Sequence, residues 1–186
     1  MVFETRLYIV IHTVKCFKKS RITVLSMEII LPEKIRRKII EESEKRGVDP
    51  EEFIAEIIID RLSQDPKDRV ELYIQLCEKY LKDAEEMLRK RDHIQASEKM
   101  WGAAATCVKA VALKLKGSRL TSHGELWEFI NELSKEMKDD EVRRLWRTAI
   151  SMHVNFYEKW APLKDVEHAL KDIKTLINKL RKFAGL

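Results

Sequence analysis

Two side chains near the C-terminus of this sequence, Arg147 and His153, are suited to chemistry on a phosphate. A guanidinium is permanently charged and can hold a phosphate through two hydrogen bonds. An imidazole titrates near neutrality and can accept or donate a proton. Together these groups supply the minimum for metal-independent cleavage of RNA, which needs proton transfer at a 2′-hydroxyl and stabilisation of the charge developing on the phosphoryl group.

The spacing of Arg147 and His153 places a condition on that chemistry. Six residues correspond to about 600° of helical rotation, so the two side chains point about 120° apart on one helix. One helix alone therefore makes a poor site, whereas two copies related by a two-fold axis could bring each Arg147 near the His153 of the other copy. The structural alternative is that His153 bonds to a core carbonyl and Arg147 is a solvated surface charge.

His153 also lies in the middle of an apolar helical pattern. Its neighbours in steps of three and four are Trp146, Ile150, Tyr157 and Trp160, which predicts one shared helix face. A titratable ring on such a face is either a satisfied core group or part of a site. Further residues that we expect to line a site here are Glu98, Lys99, Trp101, Asn155 and Glu158.

The second half of the chain shows five helical patterns joined by short turns. Their approximate bounds are 65–89, 93–116, 122–137, 139–161 and 164–182. Alanines and Gly102 in the second of them allow close approach of another helix, which predicts the central helix of a bundle. Pro162 is expected to end the helix that carries His153. The fold class predicted is all-α, an antiparallel four- or five-helix bundle, with a small N-terminal appendage.

That appendage is predicted as strand, helix and helix. The run MEIILP from Met27 is strand-like, and Gly47 and Asp49 punctuate two amphipathic helices. This order resembles a ribbon-helix-helix unit, many of which read DNA. The strand here offers Glu28 and Ile30, and residues 27–66 carry seven basic and eleven acidic side chains, which opposes phosphate contact. DNA binding is therefore not expected, and an oligomerisation or packing role is favoured.

The chain is accordingly divided into three parts. Residues 1–26 form an N-terminal extension, either a strand or a segment upstream of a natural start at Met27. Residues 27–64 form the strand-helix-helix module, and residues 65–186 form the helical bundle. The 186 residues suit one domain and an appendage.

Composition excludes several classes of protein. With 45% apolar and 36% charged residues the chain is expected to fold around one continuous core. No apolar run approaches the roughly 18 residues that span a bilayer. Three distant cysteines without a C-x-x-C pair indicate a reducing, cytoplasmic location. Scattered histidines and the absence of H-E-x-x-H predict no metal and no cofactor. The net charge of +5 permits RNA as a partner.

Three segments carry a resemblance to a known family. ASEKMWGAAATCVKAVA (96–112), SHGELWEF (122–129) and MHVNFYE (152–158) together resemble the archaeal PaREP family of the HEPN (higher eukaryote and prokaryote nucleotide-binding) superfamily. The resemblance covers about residues 31–184. It implies an antiparallel helical bundle that forms a homodimer. Many HEPN proteins are metal-independent endoribonucleases with an arginine, four to six residues, and a histidine, a spacing that Arg147 and His153 satisfy.

Two further positions follow from the resemblance. Tyr157 echoes a position that many members keep polar or aromatic, whereas Thr148 stands where Asn, Asp or His usually follows the arginine. Both are expected to line the site. HEPN nucleases often act in toxin-antitoxin or defence systems beside a separately encoded nucleotidyltransferase. Other members only bind nucleotides or partner proteins, so a non-catalytic binding module is the alternative function. A transcription-linked role of the N-terminal module is a third.

Overall fold

The computed structural model describes residues 31–63 and 65–186, together with two short strands, β1 (Val10–Ile11) and β2 (Met27–Glu28). Seven helices make up nearly all of this described part, which confirms the prediction of an all-α protein. They are α1 (Glu33–Arg46), α2 (Pro50–Leu62), α3 (Pro66–Arg89), α4 (His93–Lys116), α5 (His123–Met137), α6 (Glu141–Glu158) and α7 (Leu163–Ala184).

The two strands form one short antiparallel pair within the chain, in which Val10 lies opposite Glu28. Of the strand-like run expected from Met27, the structure describes only β2 at Met27–Glu28, and the next two residues lie outside the described part, so the strand of the appendage is not confirmed. The expectations for residues 1–26 also lie outside it, apart from β1.

Most helix boundaries follow the capping signals in the sequence. Gly47 ends α1 in the left-handed conformation with φ of 62°, which a residue without Cβ adopts at little cost. The Asp49 side chain accepts a hydrogen bond from the backbone N–H of Glu51 at the start of α2. Ser122 and Glu125 form the predicted capping box of α5. These local signals were sufficient because each involves residues within one turn of the chain.

The end of α6 differs from the prediction. The helix stops at Glu158, and Lys159 takes the left-handed conformation with φ of 56°. Pro162 instead precedes α7, because its fixed φ and missing N–H suit a helix start better than a helix end. Trp160 therefore lies outside the helix, where it is 55% exposed, and does not extend the apolar face that carries His153.

Helix α4 is the centre of the structure. It packs against α3, α5, α6 and α7, and 15 of its residues are buried. Its small side chains allow this, as at Gly102, where an added Cβ would lie 3.1 Å from the ring of Tyr80 on α3. The close approach of another helix that the alanines and Gly102 predicted is therefore confirmed.

Helix α2 is attached to the side of α3 and α4 by polar contacts. Lys109 of α4 and Glu52 of α2 form an ion pair in which both side chains are almost fully buried, at 4% and 2% exposure. The Tyr73 hydroxyl on α3 donates to the Glu56 carboxylate over 2.6 Å. Helix α1 packs against α2. Helices α1 and α2 are thereby held against the side of the central helix.

Among the described residues, no helix is both long enough and apolar enough to cross a membrane.

Candidate functional site

His153 lies on α6 and faces the N-terminal half of α4. Its Nδ1 is 3.3 Å from a carboxylate oxygen of Glu98, and only 17% of its side chain is exposed. A carboxylate at Nδ1 orients an imidazole and leaves Nε2 as the nitrogen available to another group. Glu98 and Trp101 are three residues apart on α4, so they lie on the same face of that helix. That face is turned toward His153. The pair has the arrangement of a positioned proton-transfer group.

Three aromatic rings surround His153. Trp101 is buried at 3% exposure and its ring centroid lies 4.8 Å from that of His153. His123 lies 5.0 Å away on another side, and Tyr157, one turn further along α6, meets the ring edge-on at 5.2 Å. Tyr157 is 63% exposed and His123 is exposed as well. We call Glu98, Trp101, His123, His153 and Tyr157 the His153 cluster.

His123 enters the cluster as the first residue of α5. The capping box at Ser122 fixes the start of that helix, and the imidazole then packs against the α1–α2 turn at Gly47. A Cβ on Gly47 would come within 2.4 Å of the Cε1 atom of His123, so a larger residue would displace the ring. Burial lowers the pKa of His123, and the positive charges of His153 and Lys109 lower it further.

A narrow cleft extends from the cluster toward α2. It is lined by Glu98, Trp101 and His123 at its mouth and by the charged groups of α2 and α4 further in, among them Asp49, Glu52, Lys99 and Lys109. Its interior of about 20 Å³ admits one or two water molecules but no nucleobase. The buried Tyr80 hydroxyl, which has no hydrogen-bond partner in the described part of the chain, also belongs to its lining. A large ligand would therefore bind at the exposed mouth.

Lys99 belongs to this cleft rather than to the His153 cluster. Its ammonium lies 2.6 Å from a carboxylate oxygen of Asp49 and 5.1 Å from the centroid of the Tyr80 ring. This ion pair joins α4 to the start of α2. Lys99 consequently fixes the α1–α2 turn against which His123 packs.

Arg147 is exposed on α6. It forms no hydrogen bond or ion pair with any residue that the structure describes. It lies about 9 Å before His153 along the helix axis and about 120° around it. The structure of one copy therefore does not bring Arg147 into the His153 cluster, as the spacing in the sequence led us to expect.

Thr148 and Asn155, two of the predicted lining residues, have structural contacts. The Thr148 hydroxyl donates to the Asp172 carboxylate of α7 over 3.2 Å. Asn155 is fully buried, and its amide group donates to the Ser97 hydroxyl while its carbonyl accepts from the backbone N–H of Ala161. The bond to Ala161 holds the turn between α6 and α7, and the other two tie α6 to α7 and α4. Glu158, the last residue of α6, is exposed.

The structure therefore unites four of the nine predicted site residues: Glu98, Trp101, His153 and Tyr157. His123 is the member that the sequence reasoning missed, because it considered this histidine only as a metal ligand. The signal was its position directly after a capping serine, which puts it in the first turn of a helix. Only the packing of α5 beside α4 shows which ring it meets. In the described ranges, no group of three or more His, Cys, Asp or Glu could hold a metal ion.

Comparison with known proteins places the chain in a family. The model of the archaeal PaREP1/PaREP8 family matches residues 72–177, which is more than half of the sequence, and the chain therefore belongs to that family. It is also similar to the crystal structure of a protein from Sulfolobus solfataricus, with a TM-score of 0.51 and 27% identity over 57% of this chain and 94% of that one. No curated protein matches it.

Proposed function

We propose that this member of the archaeal PaREP1/PaREP8 family is a metal-independent endoribonuclease built on an antiparallel four- or five-helix bundle of the HEPN type. The observation that carries the proposal is the pair of His153 and Glu98, of which Glu98 lines the adjoining cleft. It rests also on the sequence resemblance to HEPN nucleases around Arg147 and His153.

His153 is the proton-transfer group of the proposed reaction. Glu98 holds Nδ1, so Nε2 is the nitrogen that meets the substrate. The buried Trp101 ring beneath it limits access of water from one side, while the exposed Tyr157 ring at its edge offers a face on which a base can stack. The arrangement suits a flexible single strand, because a base pair would keep its bases from reaching Tyr157.

Arg147 is proposed to contact the scissile phosphate from a second copy of the chain. Its guanidinium is exposed and has no partner among the described residues, and Arg147 lies about 120° around α6 from the His153 of its own copy. A homodimer with two-fold symmetry would supply each site with one histidine and one arginine. Thr148 takes no part in this scheme, because its hydroxyl bonds to Asp172.

The biological setting follows from the resemblance. We propose a cytoplasmic toxin-antitoxin or defence system in which a separately encoded protein of the nucleotidyltransferase type acts as the antitoxin. In the 27–64 module, the carboxylates of Glu51 and Glu52 bond to Lys79 and Lys109 of the bundle. These contacts favour a packing role for a ribbon-helix-helix-like module over DNA binding.

The proposal is tested by RNA cleavage in the presence of EDTA. Purified full-length protein and the His153→Ala variant are incubated with a labelled single-stranded RNA, and His168→Ala serves as the control because His168 is an exposed histidine on α7. We expect His153→Ala to cut about 10²- to 10⁴-fold more slowly and His168→Ala to match the wild type. Equal cleavage by all three folded proteins would contradict the assignment.

A non-catalytic binding module is the second reading of the same surface. Val154, Tyr157 and Trp160 are large apolar side chains exposed at or just beyond the end of α6, and an apolar patch of this kind often marks a contact with another protein. This reading predicts binding of nucleotide, RNA or a partner protein without turnover. Binding of the labelled RNA by wild-type protein with no product after prolonged incubation would favour it.

A further inference from the structure

We infer that His123 is a second catalytic residue, acting as the base that activates the 2′-hydroxyl while His153 acts as the acid. This inference rests on the proposed nuclease function and adds a residue from α5 that lies outside the spacing of Arg147 and His153.

The geometry of the His153 cluster carries this inference. The rings of His123 and His153 have centroids 5.0 Å apart and both contact Trp101, His123 at 5.2 Å. The two imidazoles come from different helices and meet beside the mouth of the cleft, which His123 lines. A phosphodiester lying across that mouth would place its attacking and leaving oxygens beside two different rings. Cleavage of RNA needs one base and one acid at those two positions.

The two rings have different surroundings, and the difference matches the proposed roles of His123 as base and His153 as acid. Glu98 faces Nδ1 of His153 at 3.3 Å, so it orients this ring and leaves Nε2 toward the leaving oxygen. Desolvation of the His123 ring, followed by the charges of His153 and Lys109, lowers the pKa of His123 and favours its neutral form. The charged and titratable groups facing the pair are Glu98, Lys99 and Lys109 of α4, Tyr157 of α6, and Arg46, Asp49 and Glu52 of the α1–α2 segment. Asp49 and Glu52 are already paired with lysines.

The step is a transesterification that needs no other reactant. Neutral His123 takes the proton of the 2′-hydroxyl, and the 2′-oxygen forms a bond to phosphorus. The bond between phosphorus and the 5′-oxygen breaks, and protonated His153 gives its proton to that oxygen. The products are a 2′,3′-cyclic phosphate and a 5′-hydroxyl end. The two histidines finish with their protonation states exchanged.

Assays on two substrates distinguish the role of His123 as base from the role of His153 as acid. Full-length His123→Ala, His153→Ala and the His168→Ala control are assayed on RNA and on uridine 3′-(4-nitrophenyl phosphate), whose leaving group departs without a proton. We expect His153→Ala to lose RNA cleavage and to keep nitrophenol release within about tenfold of the wild type. His123→Ala is expected to lose both activities by about 10²-fold or more, because both substrates need the base.

Failure of this inference and failure of the proposed function give different results. If His123→Ala retains both activities while His153→Ala loses RNA cleavage, His123 has no role in the chemistry and the nuclease assignment stands. If His153→Ala cuts RNA as fast as the wild type, the proposed function itself is wrong. If His123→Ala loses RNA cleavage but retains nitrophenol release, the assignment of base and acid is overturned.

Free imidazole distinguishes a chemical role of His123 from a structural one. The His123 ring packs on Gly47, so its removal could also disturb the fold. Imidazole added to His123→Ala is expected to restore nitrophenol release at least tenfold, in proportion to its unprotonated fraction. Absence of rescue would overturn the role of His123 as base. In the wild type, the loss of kcat/KM at low pH should follow the titration of His123.

Discussion

At the scale of single residues, the two histidines of the cluster lie in different environments although their rings are neighbours. His153 is largely buried and bonded to Glu98, whereas His123 is exposed at the first turn of α5. A carboxylate oxygen of Glu98 lies 3.3 Å from Nδ1 of the first ring, whereas the second ring lies near the positive charges of His153 and Lys109. Environment, more than residue type, separates an acid from a base when the same side chain occurs twice.

The environment of His123 predicts its titration. We expect a pKa below the ordinary value of 6.5, because burial and the charges of His153 and Lys109 disfavour its protonated form. A set of NMR spectra of the histidine rings across the pH range measures it, and the spectrum of His123→Asn assigns the signal. A pKa at or above the ordinary value would contradict the described packing.

The lowered pKa of His123 also makes the free energy of unfolding depend on pH, and this dependence provides a second test. Below pH 6.5 the unfolded chain binds the His123 proton before the folded chain does. The contribution of His123 to the free energy of unfolding is therefore present above that pH and is lost as the pH falls toward the folded-state pKa. The thermal midpoint of His123→Asn should accordingly fall less between about pH 7 and pH 5.5 than that of the wild type.

At the scale of elements, the attachment of α2 to the bundle depends on a buried ion pair. Lys109 and Glu52 have little exposure, and burial raises the pKa of the Glu52 carboxyl. Removing one partner leaves the other charge buried without compensation. This costs more free energy than replacing both partners with apolar residues. This contact links the α1–α2 turn, and through Gly47 the ring of His123, to the central helix.

We expect Lys109→Met to lower the free energy of unfolding by about 3–5 kcal/mol. The double variant Lys109→Met with Glu52→Leu should recover much of that loss, because it removes both buried charges. Urea denaturation measures each value. The matched control is Lys116→Met, which breaks an exposed pair with Glu136 and should cost no more than about 1 kcal/mol. Equal losses for Lys109→Met and Lys116→Met would show that the buried pair does not support the fold.

At the scale of the whole molecule, the proposed site is complete only in a dimer. Arg147 projects from a different side of α6 than His153, and no described contact brings the two together. Val154, an exposed apolar residue of α6, provides part of a surface that a second copy could cover. An active nuclease therefore requires that two chains meet near α6.

Mixing two inactive variants tests the shared site. We expect Arg147→Ala and His153→Ala each to cut RNA poorly, and an equal mixture refolded together to regain about one quarter of wild-type activity. Half of the dimers would then be mixed, and each mixed dimer would hold one intact site. No gain on mixing, together with a monomeric mass in light scattering, would show that Arg147 does not act across an interface.

The sequence by itself determined the helices and much of the candidate site. Helix α1 ends at Gly47, and α5 begins after the capping box of Ser122 and Glu125, because these signals act within one turn. The end of α6 was predicted wrongly, since Pro162 was expected to stop that helix but instead precedes α7. The importance of His153 also followed from its type and its apolar neighbours.

Only the tertiary structure decided which side chains meet His153. Glu98 and His123 are 55 and 30 residues away in sequence, so their approach depends on how α4, α5 and α6 pack. The helical period assigns Asn155 to one face of α6 but does not identify the residues that it contacts. It therefore could not show that the Asn155 amide is fully buried against Ser97. Capping and propensity are local interactions that the sequence encodes directly. A cluster assembled from three helices exists only through packing among distant segments, because no short segment contains its contacts.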